Sequence, residues 1–321
     1  MKRFLIFGTV CLFAGIGAMG WLKKKNAKEA DSSATVQVLE DYEPLYVETK
    51  EPVVASTRVD LTPQSDDIES VDQIYRLFTV SSSRYPFVET ITYTPRVDWL
   101  KGRAAWISDY ASYFHTSKHF IARSLNGKPD YYAQKVKSGD RFNVFKPDCE
   151  LTFHLVVDLS RCKMWFYAVD LDANKRYLMK TYVVGVGSLE PTSPSGTLTP
   201  TGKYLLGDKI SVHKPGTMGL FKDEESELIQ VFGTRWIPFG AEIENCSHPY
   251  KGYGIHGTPW LLDEKSGELI EDRTMVGNYN GDGCIHLLKE DIEELYAIVV
   301  TKPTIVEIVK DYRDANVPGE D

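Results

Sequence analysis

Positive charge is what this chain is short of. Lysine and arginine number 37 against 45 aspartates and glutamates, a net charge of −8. A nucleic-acid partner needs a basic footprint against its phosphates, so no nucleic-acid partner is expected. Histidine and cysteine are scarce, at seven and five in 321 residues. The nearest thing to a ligand pair, Cys246-x-His248, lacks the fourfold pattern of a structural zinc site, so no metal is expected. There is no internal repeat. Long apolar runs are missing except for one, Leu5 to Leu22, with Lys2 and Arg3 before it and Lys23 to Lys25 after it. It reads as a signal peptide or an uncleaved membrane anchor within residues 1–25. Ala18 and Gly20 are small enough for cleavage after Gly20, and basic flanks on both sides leave the orientation open.

What the chain does have is core-forming residues: 42% are hydrophobic, and the length allows two domains or one domain with extra segments. Residues 26–90 are polar with little periodicity and read as a flexible spacer. Residues 91–148 read as a small helical module. There, Asp98 caps a helix with Trp99, Trp106, Ile107, Tyr110 and Phe114 on one side, and Ser117 caps a second that Asn126-Gly127 stops. A turn at Gly139-Asp140 then leads into a strand. From Leu151 alternating runs dominate, at 151–158, 163–167, 177–185, 202–206 and 228–231. One late helix, Glu290 to Val300, carries Ile292, Leu295, Tyr296 and Val299 on one face, and Thr304 to Val309 is a final strand. This predicts a mainly β domain over 150–311 and a loose charged tail over 312–321. His213 lies in a loop rich in proline and glycine and is expected at the surface; His154 and Trp165 are expected in the core or on a strand face.

Two short pieces carry chemistry. Gly252-Tyr-Gly-Ile-His-Gly-Thr-Pro-Trp260 places His256 between glycines at a strand end, and Gly281-Asp-Gly-Cys-Ile-His-Leu287 places Cys284 after glycines that allow a sharp, exposed turn. A free thiol is only a few per cent thiolate at neutral pH, and a neighbouring imidazole can take its proton and hold the pair as ions. Backbone N–H groups of Gly283 and Cys284 could hold a developing oxyanion. If Cys284 stays free, the other cysteines outside the apolar run number three, so at least one more is unpaired. Arg235, Trp236 and Tyr253 precede His256 and either line the cleft or pack in the sheet.

Taken in order, Thr199-Pro-Thr-Gly-Lys-Tyr204, Ile255-His-Gly-Thr258, Gly283-Cys-Ile285, the helix with Leu295-Tyr296, and Lys302-Pro-Thr-Ile-Val306 resemble the L,D-transpeptidase (YkuD-type) catalytic domain. The resemblance implies the family's β-sandwich with a mixed sheet. It implies Cys284 as nucleophile, His256 as base and Gly257 as the residue orienting that base through its main-chain oxygen. The activity it implies is attack on the bond after the third residue of a peptidoglycan tetrapeptide stem. Transfer would follow to an amine for a 3→3 cross-link, or to water. No cofactor is implied, and the setting is the periplasm, the secreted fraction or the outer side of a bacterial cytoplasmic membrane. Upstream, Ile121-Ala-Arg-Ser-Leu-Asn-Gly127 is similar to the second helix of the LysM carbohydrate-binding module, which would make glycan a further partner; an ordinary helical spacer is the alternative.

The family pattern is broken in three places. Gly281 and Asp282 stand where serine or threonine and then histidine usually precede Gly-Cys, and His286 replaces the usual arginine or asparagine. The 28 residues from His256 to Cys284 exceed the usual gap, with a charged stretch around 261–273 reading as an insertion. An acid beside a thiolate raises the thiol pKa, yet Asp282 could also pair with His286. An L,D-carboxypeptidase and an inactive peptidoglycan-binding protein are therefore the alternatives.

Overall fold

The computed structural model describes residue 61 and residues 68–126, 135–208 and 210–321. The apolar segment and most of the spacer lie outside the described residues, as does Gly127. Thr49–Met218 with Glu225–Asp321 make one compact unit, to which everything below belongs; of the described residues, Gly219–Glu224 fall outside it.

The unit opens with helix α1 (Tyr75–Phe78), strand β1 (Val88–Thr92), helices α2 (Ile107–Tyr113) and α3 (Lys118–Asn126) and strand β2 (Arg141–Phe145). Strands β1 and β2 pair antiparallel, with Val88 opposite Phe145. Ser117 caps α3 as its position predicts, its Oγ accepting from the Phe120 N–H at 2.9 Å. Asp98 caps no helix. Gly102, at φ +89°, turns the chain after it, and α2 starts only at Ile107, with Trp106 as its cap residue. Trp106 is therefore not on the buried side: it is 66% exposed.

The rest of the chain supplies β3 (Leu151–Asp158), β4 (Lys163–Asp170), β5 (Lys175–Val183), β6 (Val186–Gly187), β7 (Gly202–Leu206), β8 (Ser211–Val212), α4 (Ile229–Phe232), β9 (Arg235–Glu244), β10 (Gly254–Gly257), β11 (Trp260–Leu262), β12 (Leu269–Glu271), β13 (Tyr279–Gly281), β14 (Ile285–Leu287), α5 (Lys289–Val299) and β15 (Thr304–Val309). Nine of these strands form one sheet in the order β14-β10-β9-β7-β15-β3-β4-β5, with β8 also on β9. It is mixed: β10 with β14 and β15 with β3 are parallel, and the neighbours between them are antiparallel. The run at 228–231 is not a strand but the start of the short helix α4, which ends at Gly233 with φ +60°. An apolar run that short does not distinguish a strand from a buried helix turn.

Both faces of the sheet are covered. Phe153, Leu155 and Val157 of β3 join the main core with Phe166 of β4 and Ile292, Leu295 and Ile298 of α5. On the other face, Val156, Trp165, Tyr167 and Val169 pack under Tyr312, Ala315 and Val317. The tail is thus not loose: the Arg176 guanidinium donates to both Asp321 carboxylate oxygens, at 2.7 and 3.0 Å, and the Tyr312 N–H donates to buried Asp158 at 2.8 Å. Nor does a free spacer run to residue 90. Leu77, Tyr85 and Phe87 are almost fully buried in the main core, and the Thr181 N–H donates to the Val71 carbonyl at 2.7 Å. These apolar residues have no regular spacing, so periodicity could not reveal them, but they bury as well as patterned ones.

The helical module is joined to the sheet domain by shared packing. Phe120 is fully buried between Phe78 and Phe145, with ring centroids 5.3 and 4.4 Å away, in the same core as Phe153 and α5. The Ser117 hydroxyl donates to the Ala297 carbonyl on α5 at 2.5 Å. Emptying such a site costs the transfer energy of the ring and leaves a cavity, so Phe120→Ala should destabilise the protein by about 3–5 kcal/mol. Denaturant unfolding should remain one transition, shifted as a whole. Two transitions with only the weaker one moved would show that the two parts fold separately.

Candidate active site

Strand register assembles the site. Trp236 on β9 lies opposite His256 on β10, and His256 lies opposite His286 on β14. Paired residues share a face of the sheet, so the three rings form a row. Their partners Ile237, Ile255 and Ile285 turn to the core and are fully buried. The His256 ring centroid is 5.4 Å from Trp236, 4.5 Å from His286 and 5.4 Å from Phe232 at the end of α4. His213, just beyond β8, stands behind Phe232, with ring centroids 5.9 Å apart.

His256 is fixed by its own chain. Its Nδ1 lies 2.8 Å from the Gly257 carbonyl oxygen. A carbonyl only accepts, so Nδ1 carries the proton and, in the neutral ring, Nε2 keeps the lone pair of a base.

Cys284 closes the turn that enters β14, and glycines make that turn. Gly283 has φ +114°, and a Cβ there would lie 2.8 Å from both the Leu198 carbonyl oxygen and the Tyr253 ring. Gly281 has the His286 ring against it; a Cβ would lie 2.5 Å from the His286 Cε1. The thiol is half-buried, with Sγ 3.6 Å from the Gly252 carbonyl oxygen. The loop before β7 forms the opposite wall. Its buried Ser195, Thr197 and Thr199 are hydrogen-bonded in series, and the Thr199 hydroxyl accepts from the Gly187 N–H at 2.7 Å.

Burial sets the protonation states. It pushes the Cys284 thiol up to about 12, aided by the Asp282 charge and opposed by a backbone hydrogen bond from Gly254. It brings His286 down to about 4, against the Asp282 charge and a backbone bond at Gly185. His256 is held well below its usual value, first by burial and then by His286, against the carbonyls of Gly257 and Phe232. The expected resting ion pair is therefore not the state these surroundings favour. They favour a neutral thiol and neutral imidazoles, because the apolar wall of Trp236 and Phe232 withholds the water that ions need.

Residues 152–308 match the family model of the YkuD L,D-transpeptidase catalytic domain. This segment is a YkuD domain. Among solved structures, the chain is similar to the helical cell shape determining protein Pgp2 from Campylobacter jejuni, with 17% identity, 53% of this chain and 51% of that one covered, and a TM-score of 0.33. It is also similar to Bd1075 from Bdellovibrio bacteriovorus, with 14% identity, 50% and 48% covered, and a TM-score of 0.34. The chain spans about half the length of these structures. No curated protein matches.

Within the YkuD domain, Trp236, His256, Gly257 and His286 form the row, and Gly283, Cys284 and Tyr253 meet at the turn that leads into β14, where Asp282 sits exposed. Arg235 does not join them. It is buried and faces α5, with Nη1 3.5 Å from Glu293 and its guanidinium over the Tyr296 ring at 5.1 Å. One-residue alternation along β9 puts it on the opposite face from Trp236. His213, expected at the surface, is only 4% exposed, its Nδ1 3.2 Å from the Gly233 carbonyl oxygen. Loop composition cannot reveal a packing partner such as Phe232, which lies 19 residues further along the chain. Among the described residues no group of three or more His, Cys, Asp or Glu side chains is placed to hold a metal.

Two outcomes follow from these protonation states. An unfolded histidine titrates near 6.5, so as pH falls below that value the unfolded chain takes up the proton that buried His286 refuses. Stability present above pH 6.5 is lost progressively toward pH 4. His286→Asn should shrink the difference between urea melts at pH 7.5 and 4.5, and an unchanged difference would contradict the burial argument. Separately, Asp282→Asn should accelerate alkylation of Cys284 by iodoacetamide at pH 8, read by peptide mass spectrometry, because removing the acid lowers the thiol pKa.

Proposed function

We propose that the YkuD domain is a cysteine-dependent peptidoglycan L,D-transpeptidase. The Cys284 sulfur attacks the carbonyl carbon of the third residue of a tetrapeptide stem while His256 Nε2 takes the thiol proton. The C–N bond to the fourth residue breaks, that residue leaves as the free amine with a proton returned by His256, and a thioester remains. An amine of a second stem then displaces sulfur to give the 3→3 cross-link. The observation that carries this reading is the Gly257 carbonyl bond at 2.8 Å, which leaves Nε2 as the free base in the row beside the Cys284 turn. With both groups neutral at rest, proton transfer accompanies attack rather than preceding it, and backbone N–H groups at Gly283 and Cys284 would meet the oxyanion.

Hydrolysis of the same thioester, an L,D-carboxypeptidase activity, uses the same residues. A catalytically inactive peptidoglycan-binding role is favoured by one observation, a thiol held at about 12 beside Asp282. The setting this implies is outside the cytoplasmic membrane, with the segment at 5–22 as leader or anchor. Among the described residues no helix is long and apolar enough to cross a membrane.

Incubation of the purified protein with disaccharide-tetrapeptide, followed by mass spectrometry, should give cross-linked dimers or tripeptides that vanish with Cys284→Ala. Dimers mean transfer and tripeptides alone mean hydrolysis. No product from a folded wild type would overturn the enzymatic reading in favour of binding. Where turnover occurs, Asp282→Asn should shift the pH–rate profile, since its charge acts on both Cys284 and His286.

A further inference from the structure

We propose that the outer tip of the β1–β2 ribbon, with the loop 94–106 folded against it, docks on an anionic lipid membrane. Six cations meet the headgroups and Trp106 enters the interface. Only the setting, outside the cytoplasmic membrane, rests on the reading above. The site lies outside the YkuD domain and is separate from the segment at 5–22.

The chain's shortage of positive charge is uneven. Residues 91–148 hold ten lysines and arginines against five aspartates and glutamates, whereas the rest of the chain holds 27 against 40. A negatively charged surface therefore attracts this part and repels the remainder, which selects the part that arrives first.

The fold gathers the cations at one end. At the inner end of the ribbon, Val88 opposite Phe145 is buried in the main core. The two strands run outward from there for about 14 Å, to Thr92 opposite Arg141. Two backbone bonds close the tip: the Tyr93 N–H donates to the Asp140 carbonyl at 2.7 Å, and the Gly139 N–H to the Tyr93 carbonyl at 3.0 Å. Lys135, Lys137 and Arg141, on and around that turn, thus lie beside the start of the loop that carries Arg96, Lys101 and Arg103. All six are exposed. The loop folds back on the tip, with the Ala105 N–H donating to the Pro95 carbonyl at 2.9 Å and the Tyr93 hydroxyl to the Ala105 carbonyl at 2.7 Å. Trp106, next in the chain and 66% exposed, is therefore held at the same end, with the Arg103 guanidinium 5.0 Å from its ring centroid.

Three acids share the tip and leave a positive surplus. Asp109 is taken up by Arg103, at 2.6 and 2.7 Å, and by the Trp106 N–H, at 2.7 Å. Asp140 accepts from the Lys137 N–H at 2.8 Å, and Asp98 is exposed. Beneath the loop, Val97, Trp99 and Leu100 pack with Tyr110 and Phe142, so the exposed groups sit on a supported surface. Cations alone would suit any polyanion. An exposed indole among them suits a lipid surface in particular, because only there does an apolar layer lie just behind the negative charge.

The test uses the full chain with vesicles of phosphatidylglycerol mixed with phosphatidylcholine, and of phosphatidylcholine alone. Amide hydrogen exchange, read peptide by peptide, reports the tip separately from the segment at 5–22. Exchange over 94–106 and 135–141 should slow at least about threefold on the anionic vesicles relative to the neutral ones, and added salt should shrink the difference. Arg96→Glu, Lys101→Glu and Lys137→Glu combined should abolish the slowing without changing the melting temperature. Trp106→Ala should reduce it and Trp106→Tyr should retain it, which separates loss of the ring from misfolding. Cys284→Ala should behave as wild type, so failure of the catalytic reading leaves this result readable. Equal exchange at the tip on both kinds of vesicle would overturn the proposal. So would protection that soluble polyphosphate reproduces and Trp106→Ala leaves unaltered, which would make the tip a polyanion site.

Discussion

The parallel pairing of β10 with β14 is the constraint on which the site depends. Three residue pairs, Ile255 with Ile285, His256 with His286 and Gly257 with Leu287, bring together residues that are 30 apart in the chain. The buried isoleucines hold this register, because a slip of one residue would turn both into the imidazole row and both histidines into the core. The same ladder begins one residue after Cys284, so the position of that thiol is inherited from packing on the far side of the sheet. Chemistry here is held by apolar residues that take no part in it.

That arrangement also decides the electrostatics. Trp236, Phe232 and the buried histidines make the neighbourhood of His256 dry, and a dry site keeps acids and bases neutral until something compensates. Asp282 works against the thiolate and in favour of a charged His286, so the one acid at the turn pushes both groups toward their protonated forms.

Much of this was legible in the sequence, for physical reasons. Alternation gave β3, β4, β7 and β15, and glycine spacing gave the turn at Cys284, because both are local requirements of backbone geometry. The role of the Gly257 oxygen came from family resemblance, not from spacing. Long-range burial was not legible. Phe87 and Leu77 entering the core, Val317 covering Trp165, and His213 sitting behind Phe232 depend on partners far away in the chain. Arg235 and Trp236 are adjacent and equally plausible as cleft residues until a strand's alternation sends them to opposite faces. Asp98 is a good cap by residue type, yet the left-handed Gly102 after it breaks the helix such a cap would begin, and α2 starts only at Ile107.

The connection between β10 and β14 carries the β11–β12 hairpin, and its root is a single side chain. Glu271 accepts from the Thr258 hydroxyl at 2.8 Å, from the Lys289 N–H at 2.5 Å and from Arg273 at 2.9 Å, so the departing chain, the returning chain and the first residue of α5 are stitched at one point. Leu261, Leu262 and Ile270 beyond that stitch are exposed, while the first strand of the hairpin packs against α4, the helix that carries Phe232. The pairing of the two histidine strands is set by isoleucines buried on the other face, so the length of the connection between them is not what fixes the row of rings.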